Sequence, residues 1–145
     1  MFWSKPLAVR APAPPFILPD EEGGVFTLNH QRGRNVLIVF YPADETPVCT
    51  AQLCAVRDQW ELLQTRNVLA VGINPARAES HARFKQKHNF PFPILVDHGQ
   101  RVAKTYHASA LLVVRRTVYL VGKDGAIRYA RRGKPPLEEV LAAAE

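Results

Sequence analysis

Two cysteines, Cys49 and Cys54, are the only ones in this 145-residue chain. They follow the stretch Tyr41-Pro42-Ala43-Asp44-Glu45-Thr46-Pro47-Val48. Proline is favoured at the first position of a helix, with threonine before it as N-cap, so Thr46-Pro47 reads as a helix start. Cys49 then occupies the first turn, at N3. There the unpaired backbone N–H groups and the helix dipole favour a negative charge. A thiol so placed is drawn toward the thiolate, its nucleophilic form. The Thr46 hydroxyl is expected to bond toward N3, as in a capping box, and so to orient the sulfur. The competing reading of Cys49 is an inert core residue, since cysteine behaves as a small hydrophobe.

Cys54 sits about 140° around the helix axis from Cys49. It falls among Arg57, Asp58 and Glu61, on the polar side. Cys49 shares the apolar face with Leu53, Val56, Trp60 and Leu63. On an intact helix the two Cα atoms are about 8.6 Å apart, beyond the ~4.4–6.8 Å that a disulfide spans. Bonding between them therefore requires the first turns to unwind. A reactive thiol and a second thiol reached only by local unfolding suggest a two-step redox cycle. The five-residue offset differs from the Cys-x-x-Cys of thioredoxin-type exchangers. A zinc site needs about four ligands, and His30, His81, His88, His98 and His107 are scattered singly, as surface residues would be.

The elements that must position these thiols follow from periodicity. Val36 to Tyr41 is unbroken and rich in β-branched residues, as in a central strand covered on both faces. Residues 47 to 64 carry apolar positions at steps of four and three, the pattern of one amphipathic helix. Val68 to Ile73 is a second buried strand. A helix is expected from Asn74-Pro75 to about His88, then a strand at Ile94 to Asp97 and a short helix from Arg101 to Tyr106. Phe16-Ile17-Leu18 and Val25 to Leu28 flank a Gly-Gly turn as a hairpin. Val118 to Val121 and Ile127 to Ala130 bracket Gly122-Lys123-Asp124-Gly125, a second hairpin with an Asp-Gly turn. Leu137 to Ala144 closes the chain as a helix. The proline-rich residues 1–15 form an extended arm. Strands alternating with helices, then a hairpin and a helix, specify an α/β fold with a mixed sheet. The length suits one domain over residues 1–145.

Bulk properties narrow the partners. Apolar residues are 47% and charged residues 22% of the chain, ordinary for a globular protein. No run approaches the ~20 apolar residues of a membrane span, and Met1-Phe2-Trp3-Ser4-Lys5-Pro6 lacks the pattern of a signal peptide. The expected compartment is the cytoplasm, where thiols stay reduced. Lys and Arg outnumber Asp and Glu by 19 to 13. The densest basic stretch, Arg115 to Lys134, alternates with strand-forming residues, so a solvated sheet edge is expected there and nucleic acid is not.

Taken together, Phe40-Tyr41-Pro42, Asp44-Glu45-Thr46-Pro47, Cys49-Thr50 and Cys54 resemble the peroxiredoxins, and most closely their Q type, the bacterioferritin comigratory proteins. The pattern Pro-x3-Thr-x2-Cys is met by Pro42, Thr46 and Cys49, and the Q-type second cysteine by Cys54. Ser80-His81-Ala82-Arg83-Phe84, Phe90-Pro91-Phe92 and Lys123-Asp124-Gly125 extend the resemblance from about residue 11 to the end of the chain. Val48 and His107 stand where glycine is common in such proteins. Val118 replaces a threonine common there.

The resemblance implies a thioredoxin-like fold, with a central mixed β-sheet flanked by helices and an N-terminal β-hairpin. It implies reduction of hydrogen peroxide or organic hydroperoxides without a metal or organic cofactor. Cys49 would be the peroxidatic cysteine, oxidised to a sulfenic acid. Cys54 would be the resolving cysteine, closing an intramolecular Cys49–Cys54 disulfide that thioredoxin or a similar dithiol reduces. Pro42 would shield the sulfur. An arginine beside the sulfur, a few residues before the late turn, falls on Arg116, with Arg115 pointing the other way. By analogy the chain would act as a monomer. Two other readings remain: a basic thioredoxin-fold binding module with an unreactive Cys49, and a thiol–disulfide exchanger that needs no peroxide.

Overall fold

The computed structural model describes residues 5–145. The first four residues of the expected arm, within the stretch read for a signal peptide, lie outside the described residues. A five-stranded sheet runs in the order β5-β4-β3-β6-β7. Its strands are β3 (Asn35–Phe40), β4 (Val68–Asn74), β5 (Ile94–Val96), β6 (Thr117–Val121) and β7 (Ile127–Arg132). β3, β4 and β5 are mutually parallel, and β6 and β7 are antiparallel to their neighbours. The helices are α1 (Pro47–Asp58), α2 (Trp60–Thr65), α3 (Ala78–His88), α4 (Arg101–Thr105) and α5 (Leu137–Leu141). A separate hairpin pairs β1 (Ile17–Pro19) with β2 (Val25–Thr27).

Alternation along β3 divides the core. Val36, Ile38 and Phe40 face one side, with the hairpin residues Phe16, Leu18 and Phe26 and with Tyr106. Leu37, Val39 and Tyr41 face the other, with Cys49, Leu53 and Val56 of α1, Phe84 of α3, and Val140 and Leu141 of α5. The two-layer cover explains why β3 reads as an unbroken apolar run.

Several boundaries move for local reasons. The helix expected over residues 47–64 is two helices, because Gln59 leaves the helical region at φ −110° and ψ 22°. α3 starts at Ala78 rather than Asn74. Asn74 ends β4, and its side-chain oxygen accepts the Ala76 N–H at 2.8 Å in an Asx turn. α5 stops at Leu141. Residues 10–13 of the arm lie along the β6–β7 hairpin. Arg10 N–H donates to Ile127 O at 2.7 Å and Ala13 N–H to Gly125 O at 2.9 Å, which seals the edge of the β6–β7 hairpin. The opposite edge is blunted by Glu21, which is buried and accepts the Ile94 N–H at 2.9 Å. His107 has a φ of +56°, the left-handed conformation that glycine adopts most easily after a helix.

Candidate active site

β3 delivers the chain to Tyr41, whose side chain is fully buried, and the loop from Pro42 to Thr46 turns it into α1. The turn is tight, since Glu45 adopts a φ of +58°. Thr46 stands at the N-cap in extended conformation, and its carbonyl accepts the Thr50 N–H at 2.8 Å. Its hydroxyl does not cap the helix. It donates to the Ala43 carbonyl at 3.0 Å, closing the loop on itself. The expectation that this hydroxyl orients the sulfur is therefore corrected: the turn at Glu45 brings Ala43 O within its reach. Pro42 is half-buried at the start of the loop, where its ring fixes φ.

Cys49 is 1% exposed. Its Sγ accepts a hydrogen bond from Arg116 Nη2 at 3.2 Å. The same guanidinium donates from Nη1 to Gln52 Oε1 at 2.8 Å. Gln52, one turn beyond Cys49, is buried, and its Nε2 donates to Gly133 O at 3.4 Å. Arg116 immediately precedes β6 and is half-buried, whereas Arg115 is exposed. One arginine thus presents a planar, charged fork to a sulfur in the first turn of a helix. Gln52 was not singled out in the sequence. Its signal was a polar residue beside Leu53 on the inward arc of α1.

Cys54 differs from expectation. It is half-buried and packs against the same apolar cluster as Cys49. α1 is covered over more than one stripe, because Arg57, one turn on from Cys54, donates from Nη1 to His88 O at the end of α3. Both thiols are free, and α1 is continuous through both positions.

The loop's main anchor is Asp44, which in the sequence stood only within a motif and carried no role of its own. Asp44 accepts Tyr41 Oη–H at 2.6 Å and Asn74 Nδ2–H at 3.1 Å on one carboxylate oxygen. On the other it takes Ser80 Oγ–H and His81 Nδ1, at 2.7 Å and 2.6 Å. His81 is fully buried, not the surface residue expected, and its Nε2 faces Leu95 O at 3.1 Å. Burial pushes the Asp44 carboxyl up. Hydrogen bonds from His81 and Tyr41, the His81 charge and the Ser80 hydroxyl outweigh it and hold the carboxyl below its ordinary value. Burial, together with the Asp44 charge, holds the Tyr41 phenol well above its ordinary value. The signal for this site was a Ser-His pair on the inward side of a helix with few apolar residues.

The arrangement can hold a sulfur anion and offer N–H donors where negative charge develops. No group of three or more potential metal ligands occurs among the described residues. Nor, among them, is any helix long and apolar enough to cross a membrane.

The pattern of the AhpC/TSA family matches residues 9–130. A bacterial relative from Coxiella burnetii, whose name places it among bcp peroxiredoxins, is 35% identical over 129 residues, covering 83% of this chain and 85% of its own. Peroxiredoxin Q, chloroplastic, of Oryza sativa subsp. japonica is 40% identical over 120 residues, covering 81% of this chain. The chain spans about half the length, 55%, of that plant relative. The crystal structure of peroxidoxin BcpB from Mycobacterium tuberculosis superimposes with a TM-score of 0.89 at 24% identity, covering 94% of this chain and 96% of that one, which establishes a common fold. The chain belongs to the AhpC/TSA family, alongside proteins named peroxiredoxin Q and bcp.

Proposed function

We propose that the chain is a thiol-dependent peroxidase acting on hydrogen peroxide and organic hydroperoxides. The observation that carries this reading is the Arg116 Nη2 contact with Cys49 Sγ at 3.2 Å, at the start of α1. The Cys49 thiolate attacks the nearer oxygen of the peroxide. An S–O bond forms, the O–O bond breaks, and the leaving alkoxide or hydroxide takes a proton. Arg116 holds the thiolate and stabilises the charge that passes to the leaving oxygen. Thr46 and Pro42 shape the loop that bounds the sulfur.

Cys49 is left as a sulfenic acid. Once the first turns of α1 unwind, Cys54 attacks that sulfur, forming a disulfide and releasing water. A thioredoxin-like dithiol then restores both thiols by exchange. Both cysteines lie on one helix of one chain, so a monomer suffices. A cytoplasmic location accords with thiols kept reduced. Nucleic acid is a poor candidate partner, because much of the basic stretch is already engaged. Arg128 pairs with Asp124 and Glu145, Arg131 with Glu139, Arg132 with His107 O, and Arg116 with Cys49.

The test is peroxide consumption coupled to thioredoxin and its reductase. Cys49→Ser should abolish turnover, and near-normal turnover by that variant would overturn the reading.

A further inference from the structure

The pair Asp44–His81 is buried, titratable and unused by the chemistry above. Three elements converge on it. Tyr41 comes from the end of β3, Asn74 from the end of β4, and Ser80 and His81 from the first turn of α3. Asp44 is the member contributed by the loop that carries Thr46 into α1. The His81 ring lies between two acceptors, Asp44 Oδ2 and Leu95 O. Both side chains are out of contact with solvent, and each is the other's main polar partner. Loss of one member would leave the other buried and uncompensated.

We propose that the Asp44–His81 pair is the positioning device that holds the Cys49 loop in its folded state and so sets how long a Cys49 sulfenic acid stays out of reach of Cys54. This rests on the peroxidase reading. The sulfenic acid has two fates. If the loop lets go, Cys54 attacks, giving the disulfide and water. If the loop stays folded, a second hydroperoxide oxidises the sulfur to a sulfinic acid and is itself reduced to an alcohol, or to water from hydrogen peroxide. The strength of the Asp44 anchor therefore decides the partition between the two products. Thr46 adds little to this anchorage, since its hydroxyl bonds only within the loop, to Ala43 O.

The experiment treats pre-reduced wild type, Asp44→Asn, His81→Ala and Ser80→Ala with graded hydrogen peroxide and counts disulfide and sulfinic acid by intact-mass spectrometry. Far-ultraviolet circular dichroism confirms that each variant is folded at the assay temperature. Asp44→Asn and His81→Ala should raise the peroxide concentration that gives half sulfinic acid by about tenfold or more. Ser80→Ala removes one neutral donor, so it should shift the same midpoint in the same direction by only about two- to fivefold. It serves as the decisive variant if the other two fail to fold. A midpoint unchanged or lowered in the folded variants overturns the proposal. A wild type that forms neither sulfenic acid nor disulfide overturns the peroxidase reading itself. A reactive wild type with unaltered partition in the variants overturns only this inference.

Discussion

Arg116→Ala should slow the attack of Cys49 on peroxide by about a hundredfold. The guanidinium Nη2 is 3.2 Å from the sulfur. Two unit charges about 4 Å apart interact by about 4 kcal/mol at the effective dielectric of a protein surface, and by about 1 kcal/mol in water. Cys49 is buried and Arg116 half-buried, so the first figure is the nearer. Removing roughly 3 kcal/mol of this stabilisation as charge moves from sulfur to oxygen corresponds to about two orders of magnitude in rate. Alanine also leaves buried Gln52 Oε1 without the donor it has at 2.8 Å, so Gln52 keeps only its bond to Gly133 O. Arg116→Lys keeps the charge but loses the fork that engages Cys49 and Gln52 together, so its rate should fall between. The assay is single-turnover peroxide consumption by pre-reduced protein, with thermal melting to confirm folding. A rate for Arg116→Ala within about threefold of wild type would refute the electrostatic argument. So would an equal loss in Arg115→Ala.

Three further outcomes are expected. Cys54→Ser should reduce about one peroxide per chain and then stop; sustained turnover with thioredoxin would remove Cys54 from its role as resolver. The Asp44 carboxyl is lowered in the folded state, so the stability it contributes is present above the unfolded value of about 3.9 and is lost as pH falls through the lower folded value. Urea titrations should therefore show Asp44→Asn well below wild type near neutral pH, with the gap closing below about pH 4. Gly72→Ala would place a methyl 3.1 Å from Cε1 of the buried Tyr41 ring, whose hydroxyl bonds Asp44. Overpacking of this kind should cost about 1–3 kcal/mol in chemical denaturation.

What could be read from the chain depended on whether its cause was local. The α1 face carrying Cys49, Leu53 and Val56 is written in a step of three and four, and all three are buried. β3 is written as a β-branched run. The contact of Arg116 with Cys49 joins residues 67 positions apart. Only resemblance pointed to Arg116, because no local pattern separates it from Arg115. Asp44 and His81 were hidden for the same reason, since their bond closes a separation of 37 positions. A histidine and a serine on a helix face look solvated until the partner carboxylate is placed opposite. Cys54 was misjudged because a helical wheel assumes one buried stripe, whereas the end of α3 covers a second flank of α1 through Arg57. The break at Gln59 has no proline or glycine to announce it.

That break limits how much order α1 can give up. Val56 is buried, Arg57 is tied to His88 O, and beyond Gln59 the helix α2 starts afresh with Leu63 fully buried. Melting that begins at Pro47 therefore meets an anchored end within three turns, and α2 keeps its place in the core. Each residue set loose recovers about 1–2 kcal/mol of backbone entropy. Over a segment this short, that return partly offsets the helical hydrogen bonds given up. Under the proposed cycle, a Cys49–Cys54 disulfide would close a small ring, so joining its ends would take back less of the recovered freedom than a longer loop would. The segment from Pro47 to Thr65 is in effect hinged at Gln59: α1 can become chain while α2 remains wall.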